Sequence, residues 1–194
     1  MAESRLNVPN GLSALRIALV PALLLLAWHG AIAPFVIVFG LGLATDVLDG
    51  VLARRLGQVT DFGARLDQWG DFALWLSLPL AAWWLWPEII AREALYVALA
   101  LACMLLPTAI AYAKYRAVPG YHTWSVKLGS VAMGISVPLL LLFDFAWPFR
   151  AAALWQAVCA LDELGITLLL TKVHHDVPTV FHALRIRRGA TSSP

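Results

Sequence analysis

Long apolar stretches, separated by short polar segments, run along the chain from residue 12 to residue 171. Six of them are long enough to cross the hydrocarbon core of a bilayer, roughly 30 Å thick, as helices. The predicted spans are residues 12–28, 33–56, 62–86, 88–113, 121–143 and 150–171. The pattern predicts an all-α integral membrane protein with a single six-helix membrane domain over residues 1–172. A basic tail follows over residues 173–194.

Composition supports a membrane protein, because 61% of the residues are hydrophobic and only 13% are charged. Cys103 and Cys159 both fall inside apolar stretches, without the spacing of a metal site or disulfide framework, so we expect them to be packing residues. The sequence has no Ser-His-Asp pattern and no soluble nucleotide-binding loop. We therefore expect a lipid bilayer around the protein and no nucleic-acid partner.

The positions of lysine and arginine predict the orientation, since cytoplasmic ends of spans are enriched in both. Twelve of the fourteen lie at the ends that share a side with the N-terminus, and only Arg92 and Arg150 lie at the opposite ends. We therefore expect both termini to be cytoplasmic, in a bacterial inner membrane. Residues 16–33 imitate a cleavable signal peptide, but Pro34 would follow the cut, so a retained first span is expected.

Four aspartates lie inside the second and third predicted spans. Asp46 and Asp49 share one face of a helix, and Asp67 and Asp71 share a face of the next. An ionised carboxylate at mid-bilayer costs about 2.5–3.5 kcal/mol, so we expect the four to face one another across a helix hairpin. Clustered carboxylates suit hard divalent cations. Ion pairs with Arg54 and other basic neighbours, or an ion pathway, are alternatives that the spacing leaves open.

The same stretch carries a longer pattern: D-x-x-D-G-x-x-A-R from Asp46, eight residues, then G-x-x-x-D-x-x-x-D ending at Asp71. It resembles, at every defined position, the signature of the CDP-alcohol phosphotransferases. That resemblance implies transfer of a substituted phosphoryl group from a CDP-alcohol, most often CDP-diacylglycerol, to an acceptor hydroxyl, with release of CMP. It also implies a homodimer.

The resemblance assigns roles to individual residues. It implies two divalent ions, Mg²⁺ or Mn²⁺, on Asp46, Asp49, Asp67 and Asp71, with Asp71 also serving as the general base. It places four further residues in the CDP-alcohol site: Gly50, Ala53, Arg54 and Gly63.

The acceptor alcohol is less well defined by the sequence. The segment from Asp67 to Phe72 lacks the proline and lysine typical of glycerol-phosphate enzymes in the family, and Phe72 stands where inositol-type enzymes often have arginine. Glycerol 3-phosphate is the first expectation on family abundance, and a polyol or inositol-type acceptor is the alternative. The candidate contacts to the acceptor or its phosphate are Arg16, Arg116, Lys127 and Glu163.

Two groups of polar residues, and the function as a whole, have competing interpretations. The segment around Asn10, Ser13 and Arg16 resembles the opening of family members, but a helix cap at Asn10 and a snorkelling Arg16 would also explain it. Adjacent acids in the sixth span, Asp162 and Glu163, predict an ion pair with Lys127 or a hydrogen bond to the preceding helix; alternatively one lines the acceptor pocket. A cation transporter is the non-enzymatic alternative, although the intramembrane polar residues are confined to the cytoplasmic half.

Overall fold

The computed structural model of the protein describes residues 7–58, 60–116, 123–170, 177 and 179–191. For Val47, Asp61 and residues 186–191 the description is limited to the backbone. Within these ranges the chain forms helices and no strand, so the all-α prediction is confirmed. The helices are α1 Val8–Trp28, α2 Ile32–Arg55, α3 Asp61–Leu85, α4 Pro87–Arg92, α5 Ala94–Tyr115, α6 Trp124–Phe143, α7 Ala146–Leu169 and α8 Val180–Thr191.

Five of the described helices are long and apolar enough to cross a membrane: α1, α2, α5, α6 and α7. Much of their apolar surface is not covered by protein, as expected of helices that face lipid. Helix α3 is of similar length but is not among these five; its first half carries Arg65, Asp67 and Asp71. Five of the six predicted spans therefore correspond to helices that could cross a membrane, and it stays a prediction that α3 crosses it as well.

The chain divides into two compact units, Met1–Ala91 and Arg92–Pro194. In the first unit, α1 packs along both α2 and α3, whereas α2 and α3 touch each other only briefly. The expectation that carboxylates of these two helices face one another is confirmed for Asp46, Asp49 and Asp67, whose oxygens lie within 4.8 Å of one another. Helix α1, which the sequence did not place, provides the main packing surface for both α2 and α3.

The ends of these helices are set by local capping. Asn7, rather than Asn10, caps α1, and its side chain accepts a hydrogen bond from the Asn10 backbone at 2.8 Å. The alternative of a helix cap at Asn10 is therefore wrong. Thr60 caps α3 by accepting from the Gly63 backbone at 2.9 Å. Helix α2 ends where Gly57 adopts a positive φ of 62°, a conformation that glycine tolerates.

The predicted span 88–113 is interrupted at Glu93, and this boundary is corrected to two helices, α4 and α5. The Glu93 side chain is fully buried and accepts two hydrogen bonds from Arg150, both 2.8 Å, and one from Arg92 at 3.1 Å. These guanidinium groups, Arg150 first, hold the pKa of Glu93 below its ordinary value. Arg92 also pairs with Asp144, which follows α6, and lowers the pKa of that carboxyl. The ion pairs favour the turn over a continuous helix.

Helix α7 is central to the second unit and packs against α5, α6 and α8. The end of α7 is capped by α5: Lys114 Nζ and Tyr115 Oη each donate to the backbone oxygens of Thr167 and Leu170, over 2.6–2.9 Å. Helix α7 begins at Ala146 and α1 at Val8, each four residues before the predicted start.

Helix α8 lies in the segment predicted only as a basic tail. Its start is fixed by Asp162 of α7, whose carboxylate accepts from the Val180 backbone at 3.0 Å. A side chain at Gly165 would lie 2.9 Å from Val180 Cγ2, so the glycine permits this close approach. Ala183 is buried in the same cluster as Ile166. The helix is therefore docked on α7 by packing and by a carboxylate cap.

Candidate active site

The four aspartates of the motif meet around one arginine from the first helix. Arg16 Nη1 lies 3.3 Å from Asp46 Oδ1, 2.9 Å from Asp67 Oδ1 and 2.5 Å from Asp71 Oδ1. Arg16 Nη2 lies 2.6 Å from Asp49 Oδ2. The Arg16 side chain is fully buried, so the alternative of a snorkelling arginine is wrong. Three helices thus bring together residues up to 55 positions apart in the chain.

The cluster has a closed side and an open side. Asp49 is 4% exposed and also accepts a hydrogen bond from Ser13 Oγ at 2.8 Å, so α1 seals this carboxylate from outside. Asp46, Asp67 and Asp71 are 44%, 38% and 43% exposed. An ion or an anionic substrate would therefore approach the three exposed carboxylates, with Arg16 behind them.

Two glycines let α3 approach α1 closely. A side chain at Gly70 would meet Arg16 Cδ at 3.4 Å and the Ser13 backbone oxygen at 3.5 Å. At Gly63, an added Cβ would overlap the Asn10 side-chain oxygen and stand 3.0 Å from Thr60 Oγ1. The space beside Gly63 is thus taken up by α1 and by the cap of α3. Its predicted role in nucleotide binding stays a prediction.

The aspartates meet the geometric requirements of a divalent cation. Carboxylate oxygens of Asp46, Asp49 and Asp67 lie within 4.8 Å of one another. Oxygens on opposite sides of an octahedral Mg²⁺ are about 4.2 Å apart, and those of Ca²⁺ about 5 Å, so small shifts would close the three around one ion. The fourth carboxylate, Asp71, is held beside them by Arg16.

Charge also favours bound cations. Four carboxylates face a single guanidinium in this cluster, which leaves an excess of negative charge beside apolar helices. Such an excess is expensive in a medium of low dielectric constant. Divalent cations would neutralise it, so the donor set fits the ions that the motif predicts.

The other motif residues lie on the same two helices. Arg54 folds back along α2, and its Nη1 would be 3.5 Å from a side chain at Gly50. Arg54 is exposed, whereas Gly50 and Ala53 are partly buried. Their predicted contacts with the CDP-alcohol stay predictions, as does the role of Asp71 as base.

Three predicted acceptor contacts belong to the second unit. Arg116 ends α5 in the left-handed conformation, with φ 55°, and is exposed. Lys127 is also exposed, and its Nζ lies 5.1 Å from the ring centroid of Trp124. Glu163 is partly buried on α7. Their roles toward an acceptor stay predictions.

The structure decides the pairing of the adjacent acids on α7. No salt bridge in the described part of the chain joins Lys127 to Asp162 or Glu163, so the predicted ion pair is wrong. Instead Asp162 accepts from Ser125 Oγ on α6 at 2.9 Å. The alternative prediction, a hydrogen bond between these two helices, is confirmed.

Sequence reasoning missed the central position of Arg16 and the packing role of Gly70. A signal for the first was present: Asn10, Ser13 and Arg16 recur every three residues in an otherwise apolar helix. That spacing places them on one face, and polar residues on one face of a spanning helix are expected to turn toward protein. No comparable signal marks Gly70.

Comparison with known proteins adds independent information. The chain is 38% identical over 112 residues to a protein of Pseudomonas fluorescens named CDP-diacylglycerol–glycerol-3-phosphate 3-phosphatidyltransferase, over 48% of this chain and 54% of the relative. A protein of the same name from Yersinia enterocolitica is 37% identical over 107 residues, covering 46% and 56%. The alignments thus span about half the length of these two relatives.

A third similar protein, a probable phosphatidylglycerophosphate synthase of Mycobacterium tuberculosis, is 29% identical over 174 residues, covering 83% of this chain and 78% of the relative. No solved structure matches the chain. The family model described as CDP-alcohol phosphatidyltransferase matches residues 6–161, which include Arg16 and all four clustered aspartates. On this match, which agrees with the motif and with the carboxylate cluster, the chain belongs to the CDP-alcohol phosphatidyltransferase family.

Proposed function

We propose that the protein transfers a phosphatidyl group from CDP-diacylglycerol to the hydroxyl of an acceptor alcohol and releases CMP. The convergence of Asp46, Asp49, Asp67 and Asp71 on one open-sided cluster carries this proposal. Such a cluster is suited to holding divalent cations, which would bind and neutralise the pyrophosphate of the substrate at the membrane surface.

Two ions, Mg²⁺ or Mn²⁺, are the proposed cofactors, held by these four aspartates. When bound, they would supply charge for the pyrophosphate and for the oxygens of the displacement. Gly50, Ala53, Arg54 and Gly63 are proposed to contact the CDP-alcohol, with Arg54 as a permanent cation for phosphate.

Asp71 is the proposed general base, which would take the proton from the acceptor hydroxyl on a carboxylate oxygen. Two features support this assignment. The carboxylate is 43% exposed on the open side of the cluster, and Arg16 fixes its Oδ1 at 2.5 Å.

Glycerol 3-phosphate is the proposed acceptor, because relatives named for that acceptor are similar to this chain. Arg116 and Lys127 are exposed cations suited to its phosphate, and Glu163 to a hydroxyl. A polyol acceptor is the alternative, since the segment from Asp67 to Asp71 lacks the proline typical of glycerol-phosphate enzymes.

We further propose that α3 also crosses the membrane, which gives six spans in a single membrane domain. Both termini are proposed to face the cytoplasm of a bacterial inner membrane, and the protein is proposed to form a homodimer. Lysine and arginine placement supports the orientation. Single-cysteine labelling in intact cells measures it. A residue at positions 117–120 that reacts only from outside would reverse the topology.

The activity is tested by purifying the protein in detergent and measuring CMP after adding CDP-diacylglycerol, Mg²⁺ or Mn²⁺, and a panel of alcohols. We expect CMP with glycerol 3-phosphate and its loss after chelation with EDTA. Asp67→Asn should lose metal binding and activity together, whereas Asp71→Asn should lose turnover and keep much of its CDP-alcohol binding. Asp144→Asn, outside the motif, is the matched control. Absence of CMP with every acceptor would refute the proposed function.

A further inference from the structure

Arg16 is the one cation that touches all four motif aspartates in the described part of the chain. Both of its terminal nitrogens are used in these ion pairs, at 2.5–3.3 Å. Its Nε is buried and has no hydrogen-bond partner among the described residues. Because a guanidinium does not lose its proton in proteins, the charge of Arg16 is permanent.

We propose that Arg16 is a built-in counter-ion of the aspartate cluster, which holds the carboxylates together before divalent cations bind and which weakens the binding of those cations. This inference rests on the proposed function, because it assumes that the aspartates take up Mg²⁺ or Mn²⁺. It makes Arg16 a positioning residue rather than a contact to the substrate phosphate.

The geometry favours this role over a phosphate contact. The Arg16 side chain is fully buried, and Gly70 of α3 packs against it, because a Cβ at Gly70 would lie 3.4 Å from Arg16 Cδ and 3.6 Å from Nη1. Asp46, Asp67 and Asp71 are exposed to between 38% and 44% on the other side. A phosphate arriving at the exposed carboxylates would meet their bound cations before it met the guanidinium.

Electrostatics predicts the direction in which loss of the guanidinium changes two quantities, the stability of the metal-free protein and its affinity for divalent cations. Without the guanidinium, the four carboxylates repel one another at short range, so the metal-free protein becomes less stable. A divalent cation entering the same cluster no longer meets a positive charge within a few ångströms, so it binds more tightly. A residue with only a structural role would lower both stability and metal affinity.

The test compares wild type, Arg16→Gln and Arg16→Lys, each purified in detergent and stripped of divalent cations. Mn²⁺ binding is measured by titration calorimetry or by the free-Mn²⁺ electron paramagnetic resonance signal, and melting temperature is measured with and without Mn²⁺. We expect Arg16→Gln to bind Mn²⁺ at least tenfold more tightly, to melt earlier without metal, and to gain more from its addition. Arg16→Lys keeps the charge and should stay within about threefold of wild-type affinity.

A second comparison covers the case in which Arg16→Gln does not fold without metal. Asp71→Asn removes one carboxylate and so relieves part of the repulsion, which allows Arg16→Gln/Asp71→Asn to be compared with Asp71→Asn alone. The double variant should bind Mn²⁺ more tightly than the single one. Equal or weaker Mn²⁺ binding after loss of the guanidinium would overturn the proposal.

These outcomes are separable from a failure of the proposed function. If wild type neither binds Mn²⁺ nor releases CMP, the proposed function fails and the counter-ion role fails with it. If wild type does both and Arg16→Gln shows no gain in affinity, the counter-ion role alone is wrong.

Discussion

Replacing Gly63 with alanine tests whether this motif glycine serves the packing of the helices. An added Cβ would overlap the Asn10 side-chain oxygen and approach Thr60 Oγ1 to 3.0 Å. Asn10 is 5% exposed on a helix that is itself packed on two sides, so it has little room to move. Thr60 is the N-cap of α3 and would have to shift its hydroxyl away from the Gly63 backbone.

The expected loss can be estimated from these contacts. Forcing one extra carbon into a packed site costs about 1–3 kcal/mol, and weakening an N-cap costs about 1 kcal/mol. Alanine in place of glycine within a helix returns up to about 1 kcal/mol. We therefore expect Gly63→Ala to destabilise the protein by about 1–3 kcal/mol. For a chain of this size that is a fall in Tm of roughly 2–12 °C.

The assay is thermal unfolding in detergent, without substrate or metal, followed by the KM for CDP-diacylglycerol. Gly11→Ala is the matched control, because nothing lies within 4 Å of the Cβ it would add, four residues into α1. It should melt at or slightly above wild type. If Gly63→Ala melts as Gly11→Ala does, the packing explanation is wrong. A raised KM with unchanged melting would assign Gly63 to the nucleotide site instead.

Three further predictions concern the second unit. Because the pKa of Glu93 is lowered in the folded protein, its ion pairs stabilise the protein at pH values above the ordinary glutamate pKa. That stability is lost as the pH falls through the folded pKa. Glu93→Gln should therefore have a lower Tm than wild type at neutral pH, and its Tm should fall less on acidification. Asp162→Ala should increase hydrogen exchange in α8, since it removes the acceptor for the Val180 amide, and Asp162→Asn should restore part of the protection. Lys114→Met should loosen the last turn of α7, seen as faster exchange there, while leaving exchange in α6 unchanged.

The helices and the chemistry of the motif could be predicted from the sequence. Apolar stretches of spanning length fixed the ends of most helices within about four residues, because helix formation depends on neighbours along the chain. The spacing from Asp46 to Asp71 was sufficient to identify the family, since fixed intervals on two helices place fixed side chains on one face of each.

The partners that those side chains meet became known from the folded structure. The local pattern gave α1 a polar face but did not show that this helix packs on both α2 and α3, or that Arg16 reaches an aspartate 55 positions away. The break at Glu93 and the docking of α8 likewise depend on distant partners, Arg150 and Asp162. Burial explains the difference: a charged group removed from solvent must find a counterpart wherever the fold provides one, and the spacing of neighbouring residues does not say which residue that counterpart is.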